Sequence, residues 1–162
     1  RGPRLVVSRT DTELVRRIFE LEVPEILGGT VEIKNISREP GIRTKCAVSA
    51  RQEGIDPVGA CVGVRGTRIQ NIVNELNGEK IDVVQWSPDI KEFIANALSP
   101  AQVVEVQVHE GDKAVVIVPD KQLSLAIGKE GQNGKSTSKA RAHSSMKCAK
   151  QAMHAMSLTQ KA

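Results

Sequence analysis

Hydrophobic and polar positions along the chain change period several times, and each change marks an element. Leu14, Val15, Ile18, Phe19 and Leu21 recur at helical spacing, and Pro24 ends the run. Thr10-Asp-Thr-Glu13 ahead of it reads as a capping box, a hydroxyl followed three residues on by an acid. Glu20, Glu22 and Glu25 read as a solvated face. Thr30 to Lys34 alternates apolar and polar, Arg38-Glu-Pro-Gly41 carries turn chemistry, and Ile42, Thr44, Cys46 and Val48 alternate against Arg43 and Lys45. These predict a hairpin with one buried face. Asp56-Pro57 opens a short helix, Thr67 a longer one with Ile69, Ile72, Val73 and Leu76 on one side, and Gly78 closes it. Lys80 to Trp86 is a third strand. Ser87-Pro88 then starts a helix with Ile90, Phe93, Ile94, Ala97 and Leu98 apolar, ended by Ser99-Pro100. Strands follow at 103–108 and 114–118, with Glu110-Gly-Asp112 turning between them, and then a short helix from Lys121 to Ile127. The order helix, strand, strand, short helix therefore occurs twice. The expected class is α+β, as two small similar domains in tandem; the repeat length of about 65–75 residues is too long for a solenoid unit.

One motif recurs with the elements. Val62-Gly63-Val64-Arg65-Gly66 and Ile127-Gly128-Lys129-Glu130-Gly131 each follow an apolar short helix, and their first glycines lie 65 residues apart. At that offset Val58 matches Leu123, Cys61 matches Ala126 and Val62 matches Ile127. Two glycines around two polar-leaning residues give a bend that no Cβ obstructs, so backbone N–H groups can approach a phosphate at the start of the next helix. A single Gly-x-x-Gly is weak evidence; two copies in matching contexts are strong.

Composition narrows the chemistry. Of 162 residues 40% are hydrophobic, enough for a core, but only 2% are aromatic and Tyr is absent, which disfavours base stacking on aromatic platforms. The net charge of +4 misleads: residues 134–162 hold six Lys and Arg and no acid, leaving −2 over residues 1–133. The glycine loops, not overall charge, therefore carry the case for nucleic acid. Nothing approaches the ~20 apolar residues of a membrane span, and the opening residues do not read as a secretory signal; without an initial Met the sequence reads as a fragment or a processed piece. Cys46, Cys61 and Cys148 form neither a disulfide framework nor a zinc pattern, and Cys46 and Cys61 read as buried fillers in a reducing cytosol. No cofactor or metal is implied: His143, Cys148 and His154 have no ligand spacing, and His109 sits on a strand edge without a catalytic neighbour.

Longer stretches resemble a known family. The order of elements and the loops are similar to the KH domain in its type II arrangement (α-β-β-α-α-β). Phe19-Glu-Leu-Glu-Val-Pro-Glu-Ile, Gly29-Thr-Val-Glu-Ile-Lys, Arg38-Glu-Pro-Gly-Ile-Arg-Thr-Lys45, Asp56-Pro-Val-Gly-Ala-Cys-Val-Gly63, Ile72-Val-Asn-Glu-Leu76, Gly78-Glu-Lys-Ile-Asp82, Glu92-Phe-Ile-Ala-Asn-Ala-Leu-Ser-Pro100 and Leu123 to Asn133 resemble the NusA family of bacterial transcription termination and antitermination factors. The resemblance covers residues 1–133. It implies that 1–9 link to an upstream S1-like domain, 10–87 form a first KH domain and 88–133 the matched part of a second. It implies single-stranded RNA, the nascent transcript, as ligand. Gly63, Val64, Arg65 and Gly66 form one clamp, and Gly128, Lys129, Glu130 and Gly131 the other. Arg65 and Lys129 add phosphate contacts, and Arg68 and Lys80 are neighbours that read equally as solvated charges. Val62, Ile69 and Val83 line the first groove or are simply core. RNA polymerase and other Nus factors are expected partners of the full-length protein, in the bacterial cytoplasm, with no membrane role and no enzymatic activity.

After Asn133 the match stops. Residues 134–162 are a divergent basic tail with one Leu and no β-branched apolar run. A weak helix with Met146, Ala149, Met153 and Met156 on one face and a disordered tail are equally open. The second KH fold is expected to lack its usual last strand, or to borrow a substitute. Gly134-Lys135-Ser136-Thr137 resembles the end of a P-loop, but position 129 is Lys where that motif needs Gly. A nucleotide phosphohydrolase built on it is one alternative function, and a ribosome-associated KH protein is another.

Overall fold

A computed structural model describes residues 2–109, 113–144 and 157–158. Helix α1 (Thr12–Glu22) and the one-turn α2 (Pro24–Leu27) precede strands β1 (Val31–Glu39) and β2 (Arg43–Ala50). Then come α3 (Pro57–Val62), α4 (Thr67–Glu75) and β3 (Lys80–Gln85). The second unit runs α5 (Ile90–Ala97), β4 (Glu105–His109), β5 (Lys113–Ile117), α6 (Leu123–Ile127), α7 (Gln132–Ser144) and β6 (Ser157–Leu158). Residues 2–7 carry no helix or strand, and Leu5, Val6 and Val7 there are exposed.

Each sheet has three strands with the second in the middle: an antiparallel hairpin, β1-β2 or β4-β5, and a third strand parallel to its partner, β3 or β6. The expected α+β tandem KH architecture is observed. At the edge of the second sheet a short substitute takes the place of the usual last strand, the second of the two outcomes expected. Ser157 and Leu158 pair with Val115 and Val116, so two residues stand where the first sheet has a six-residue strand. The reading of 146–156 as a helix with a Met face lies outside the described residues, as does the turn at 110–112.

The first core lies between one sheet face and the helices: Val15, Ile18 and Phe19 of α1 and Ile72 of α4 meet Val31, Ile33, Cys46 and Val48. The opposite face of β2 is buried too, because the second unit packs on it. Ala47 and Val84 there meet Phe93 of α5, with Trp86 beside them, and α7 lies against β1 and β2. Lys45 is consequently 1% exposed, where the alternation alone placed it outward.

Two local expectations shift. Asp11, not Thr10, caps α1: its Oδ1 accepts the Glu13 N–H at 2.8 Å, while Thr10 and Ser8 bond each other. Asp89, not Ser87, caps α5 by accepting the Lys91 N–H.

The first unit is also pinned by a buried ion pair. Arg38 and Glu79 approach to 2.9 Å, at 4% and 1% side-chain exposure. The Thr44 hydroxyl and the Gly41 N–H donate to the same carboxylate. Burial pushes the Glu79 pKa up, but Arg38, Thr44 and the Gly41 N–H outweigh it and hold the carboxyl below its ordinary range.

Candidate nucleic-acid interface

The two glycine loops have nearly the same backbone. Gly63 has φ 76° and ψ 173°; Gly128 has φ 73° and ψ 172°. That region is essentially restricted to glycine. Each first glycine ends a short helix with its N–H bonded four residues back, Gly63 to Gly59 and Gly128 to Ser124, both at 2.9 Å. Each second glycine returns an N–H to the first glycine's carbonyl at 3.1 Å and again has positive φ, 76° at Gly66 and 74° at Gly131. Arg65 is also left-handed, at φ 54°. A longer helix, α4 or α7, starts one residue on, so its unpaired N–H groups face the same side as the loop.

Three side chains between the glycines project outward. Val64 is 81% exposed, and Arg65 and Lys129 are exposed. No hydrogen bond or ion pair holds Arg65 or Lys129 among the described residues. Lys80 is exposed, whereas Val62, Ile69 and Val83 are half-buried, the latter two against the first core. Glu130 occupies the loop backbone between Lys129 and Gly131.

The second residue of the helix after each loop braces it. Arg68 packs where a Cβ on Gly63 would sit, 2.8 Å from its Cγ, and donates to the Ala60 carbonyl at 2.7 Å. Asn133 stands 65 residues later; its Cβ and N lie 2.9 and 3.0 Å from the site of a Cβ on Gly128, and it donates to the Leu125 carbonyl at 3.3 Å. Ala60 and Leu125 are also 65 apart, so the two braces are equivalent. Arg68 is thereby turned inward, and its guanidinium pairs with Glu25 at 2.9 Å. It fixes the loop instead of standing free beside Arg65. The Glu25 carboxyl is held below its ordinary range by a backbone hydrogen bond first, with burial opposing and Arg68 assisting.

Three residues of this arrangement escape sequence reasoning. Glu25 passes for a solvated acid, Asn133 for the end of a motif and Lys45 for an outward strand position. Lys45 Nζ donates to the Asn133 Oδ1 at 2.6 Å and to the Ala97 carbonyl. Asn133 Nδ2 also donates to the Leu98 carbonyl at 3.2 Å, and the Thr137 hydroxyl to Ala97 at 3.0 Å. Burial pushes the Lys45 ammonium down to about 8, with Asp82 pulling it up and Arg43 down.

The P-loop-like segment is not a loop. Gly134 to Thr137 lies within α7, and the buried Ser136 and Thr137 hydroxyls donate to the carbonyls of Gln132 and Asn133. A phosphate cradle needs free N–H groups on a glycine-rich loop between strand and helix, so the geometry does not support the phosphohydrolase alternative. Cys46 and Cys61 are buried as expected; burial pushes the Cys46 thiol pKa far up and that of Cys61 to about 12, leaving both unreactive. His109 is exposed at the end of β4. The side chain of His143, and Cys148 and His154, lie outside the described residues. No helix among the described residues is long and apolar enough to cross a membrane.

Comparison with known proteins gives a consistent picture. Residues 9–86 match the NusA-like first KH domain and residues 90–141 the NusA-like second KH domain. The chain is similar to the transcription termination/antitermination protein NusA of Halalkalibacterium halodurans, with 59% identity over 140 residues, 86% of this chain and 37% of that protein. It is 58% identical to that of Bacillus subtilis, covering 86% of this chain and 38% of the relative. For Mycobacterium tuberculosis the identity is 52%, over 83% and 40%. The chain thus spans about two fifths of the length of these curated relatives. The crystal structure of APE1850 aligns with a TM-score of 0.58 at 24% identity, covering 76% of this chain and 83% of that one, a likeness of fold.

Proposed function

This chain belongs to the family of NusA-type tandem KH domains, and on that premise we propose that it holds single-stranded RNA on its two glycine loops and makes or breaks no bond. One observation carries the reading: the paired glycines of the two loops match in dihedral angle to within a few degrees, and each loop offers an exposed cation with no partner among the described residues. Backbone N–H groups of Gly63–Gly66 and Gly128–Gly131 grip the sugar-phosphate chain of about four nucleotides each. Arg65 and Lys129 supply phosphate contacts, and bases lie toward Val62, Ile69 and Val83 in the first domain. Arg68 acts from behind the first loop. The RNA is the nascent transcript, handled within a longer termination and antitermination factor in the bacterial cytoplasm. RNA polymerase and other Nus factors are partners of that full-length protein.

The test is binding of a short single-stranded RNA by a chain carrying Val64→Asp and Arg65→Asp together. Both side chains face solvent, so the fold should survive, as circular dichroism would show, while affinity falls at least tenfold. The unmodified chain should also lose affinity steeply with added salt, because phosphate contacts release counterions. Undiminished affinity in the folded double variant would refute the clamp.

A further inference from the structure

The first loop is braced within its own domain, by Glu25 on Arg68. The brace of the second comes from the other domain. Lys45 projects from the middle strand of the first sheet, is 1% exposed, and reaches Asn133 at 2.6 Å. Asn133 in turn bonds Leu125 of the helix entering the loop and Leu98 at the end of α5, and stands where a Cβ on Gly128 would go. Ala97, the other acceptor of Lys45, also accepts from Thr137 of α7. One ammonium therefore touches both sides of the second loop's foundation, the end of α5 and the start of α7.

We propose that Lys45 is a positioning residue for the second RNA clamp, tying the first KH sheet to the Asn133 brace so that both glycine loops stand in one register along a continuous RNA strand. The proposal rests on the two-loop reading above. Burying a cation is costly, and apolar replacement of buried charged groups is often neutral for stability, so the bonds of Lys45 to both halves of the second loop's foundation point to register as its use. Two clamps held at a fixed separation gain avidity on one ligand, and that gain is lost when the separation is not held.

The experiment compares the affinity of the whole chain for two single-stranded RNAs. One has about four nucleotides, enough for one loop, and the other about twelve, enough for both. The unmodified chain should prefer the longer RNA at least tenfold. In Lys45→Met the long-RNA affinity should fall about tenfold and the short-RNA affinity stay within about twofold. Without RNA, that variant should shift the amide resonances of Gly128–Gly131 and leave those of Gly63–Gly66 in place. A general loss of stability would move both loops and both affinities. Should Lys45→Met not fold, Lys45→Gln, a polar side chain one bond too short to hold both Asn133 and Ala97, should show the same split. A long-RNA preference that persists in a folded Lys45 variant overturns the proposal alone. Equal affinities of the unmodified chain for the two RNAs overturn both the proposal and the two-loop reading.

Discussion

The two loops are alike in backbone and unlike in what holds them. At the first, the brace is a long cation, Arg68, paired with a carboxylate of its own domain at 31% and 35% exposure. At the second it is a short amide, Asn133, 2% exposed and bonded to a lysine from the neighbouring domain. The same carbonyl position, Ala60 or Leu125, is satisfied in both. The sheets differ in the same direction: six residues of β3 edge the first and two of β6 the second. The lesson is that a duplicated unit can keep its working loop while moving the support of that loop onto its neighbour.

The largest expected effect breaks the self-sufficient half. Glu79→Ala leaves Arg38 buried without its partner and should destabilise the first domain by about 3–5 kcal/mol in denaturant unfolding. The sign with pH is fixed by the depressed carboxyl. Glu79 contributes stability above its unfolded pKa, and the contribution is lost as pH falls through its lower folded value. An acid titration of the unmodified chain against Glu79→Gln checks this.

Glycine replacements sharpen the contrast next. Gly63→Ala and Gly128→Ala each force a side chain into a glycine-only conformation, costing roughly 1–3 kcal/mol. At Gly63 the nearest obstacle is the Arg68 Cγ at 2.8 Å, which moves only if Arg68 changes rotamer and gives up its bonds to Ala60 and Glu25; at Gly128 the obstacles are the Asn133 Cβ at 2.9 Å and backbone N at 3.0 Å, which no rotamer change can move. Gly128→Ala should therefore be the more damaging, in thermal unfolding and in RNA affinity.

Smaller again is the effect of Arg68→Met, because its ion pair is partly solvated. We expect about 1 kcal/mol or less, with the amide shifts confined to Gly63–Gly66. Spread of those shifts to Gly128–Gly131 would mean that the two braces are not independent.

The subtlest is the pH dependence of domain docking. Lys45 is faced by the Asn133 amide, the Ala97 carbonyl and the paired Arg43 and Asp82 of the strands beside it. Its pKa is about 8 when docked against 10.5 for a free lysine, so the docked state disfavours the proton. Docking should therefore strengthen as pH rises from about 8 toward 10.5, by a margin absent in Lys45→Met. Emission of Trp86, which packs beside the Ala47, Val84 and Phe93 contact between the domains, follows it directly.

Both loops and nearly all the strands and helices are legible in the sequence, because glycine spacing and apolar periodicity depend on local physics. The supports are not. Lys45 alternates with Thr44 and Cys46 as an outward residue would, since the strand pattern cannot announce that a second domain covers the other face. Helix α7 has no apolar stripe in its first turns; it packs Ser136 and Thr137 and bonds them to backbone carbonyls, so a period search finds only polar residues. Gly134-Lys-Ser-Thr137 misleads for the same reason, small hydroxyl residues serving close packing where a phosphate loop uses them for metal. Glu25 is illegible for a related reason: its partner Arg68 lies far along the chain and meets it only in the fold.

Amide chemical-shift mapping with a single-stranded RNA of about twelve nucleotides tests the central claim most directly. The account predicts perturbation at both Gly63–Gly66 and Gly128–Gly131 at the same RNA concentration. Perturbation that leaves these two segments unmoved while appearing elsewhere on the chain would contradict it.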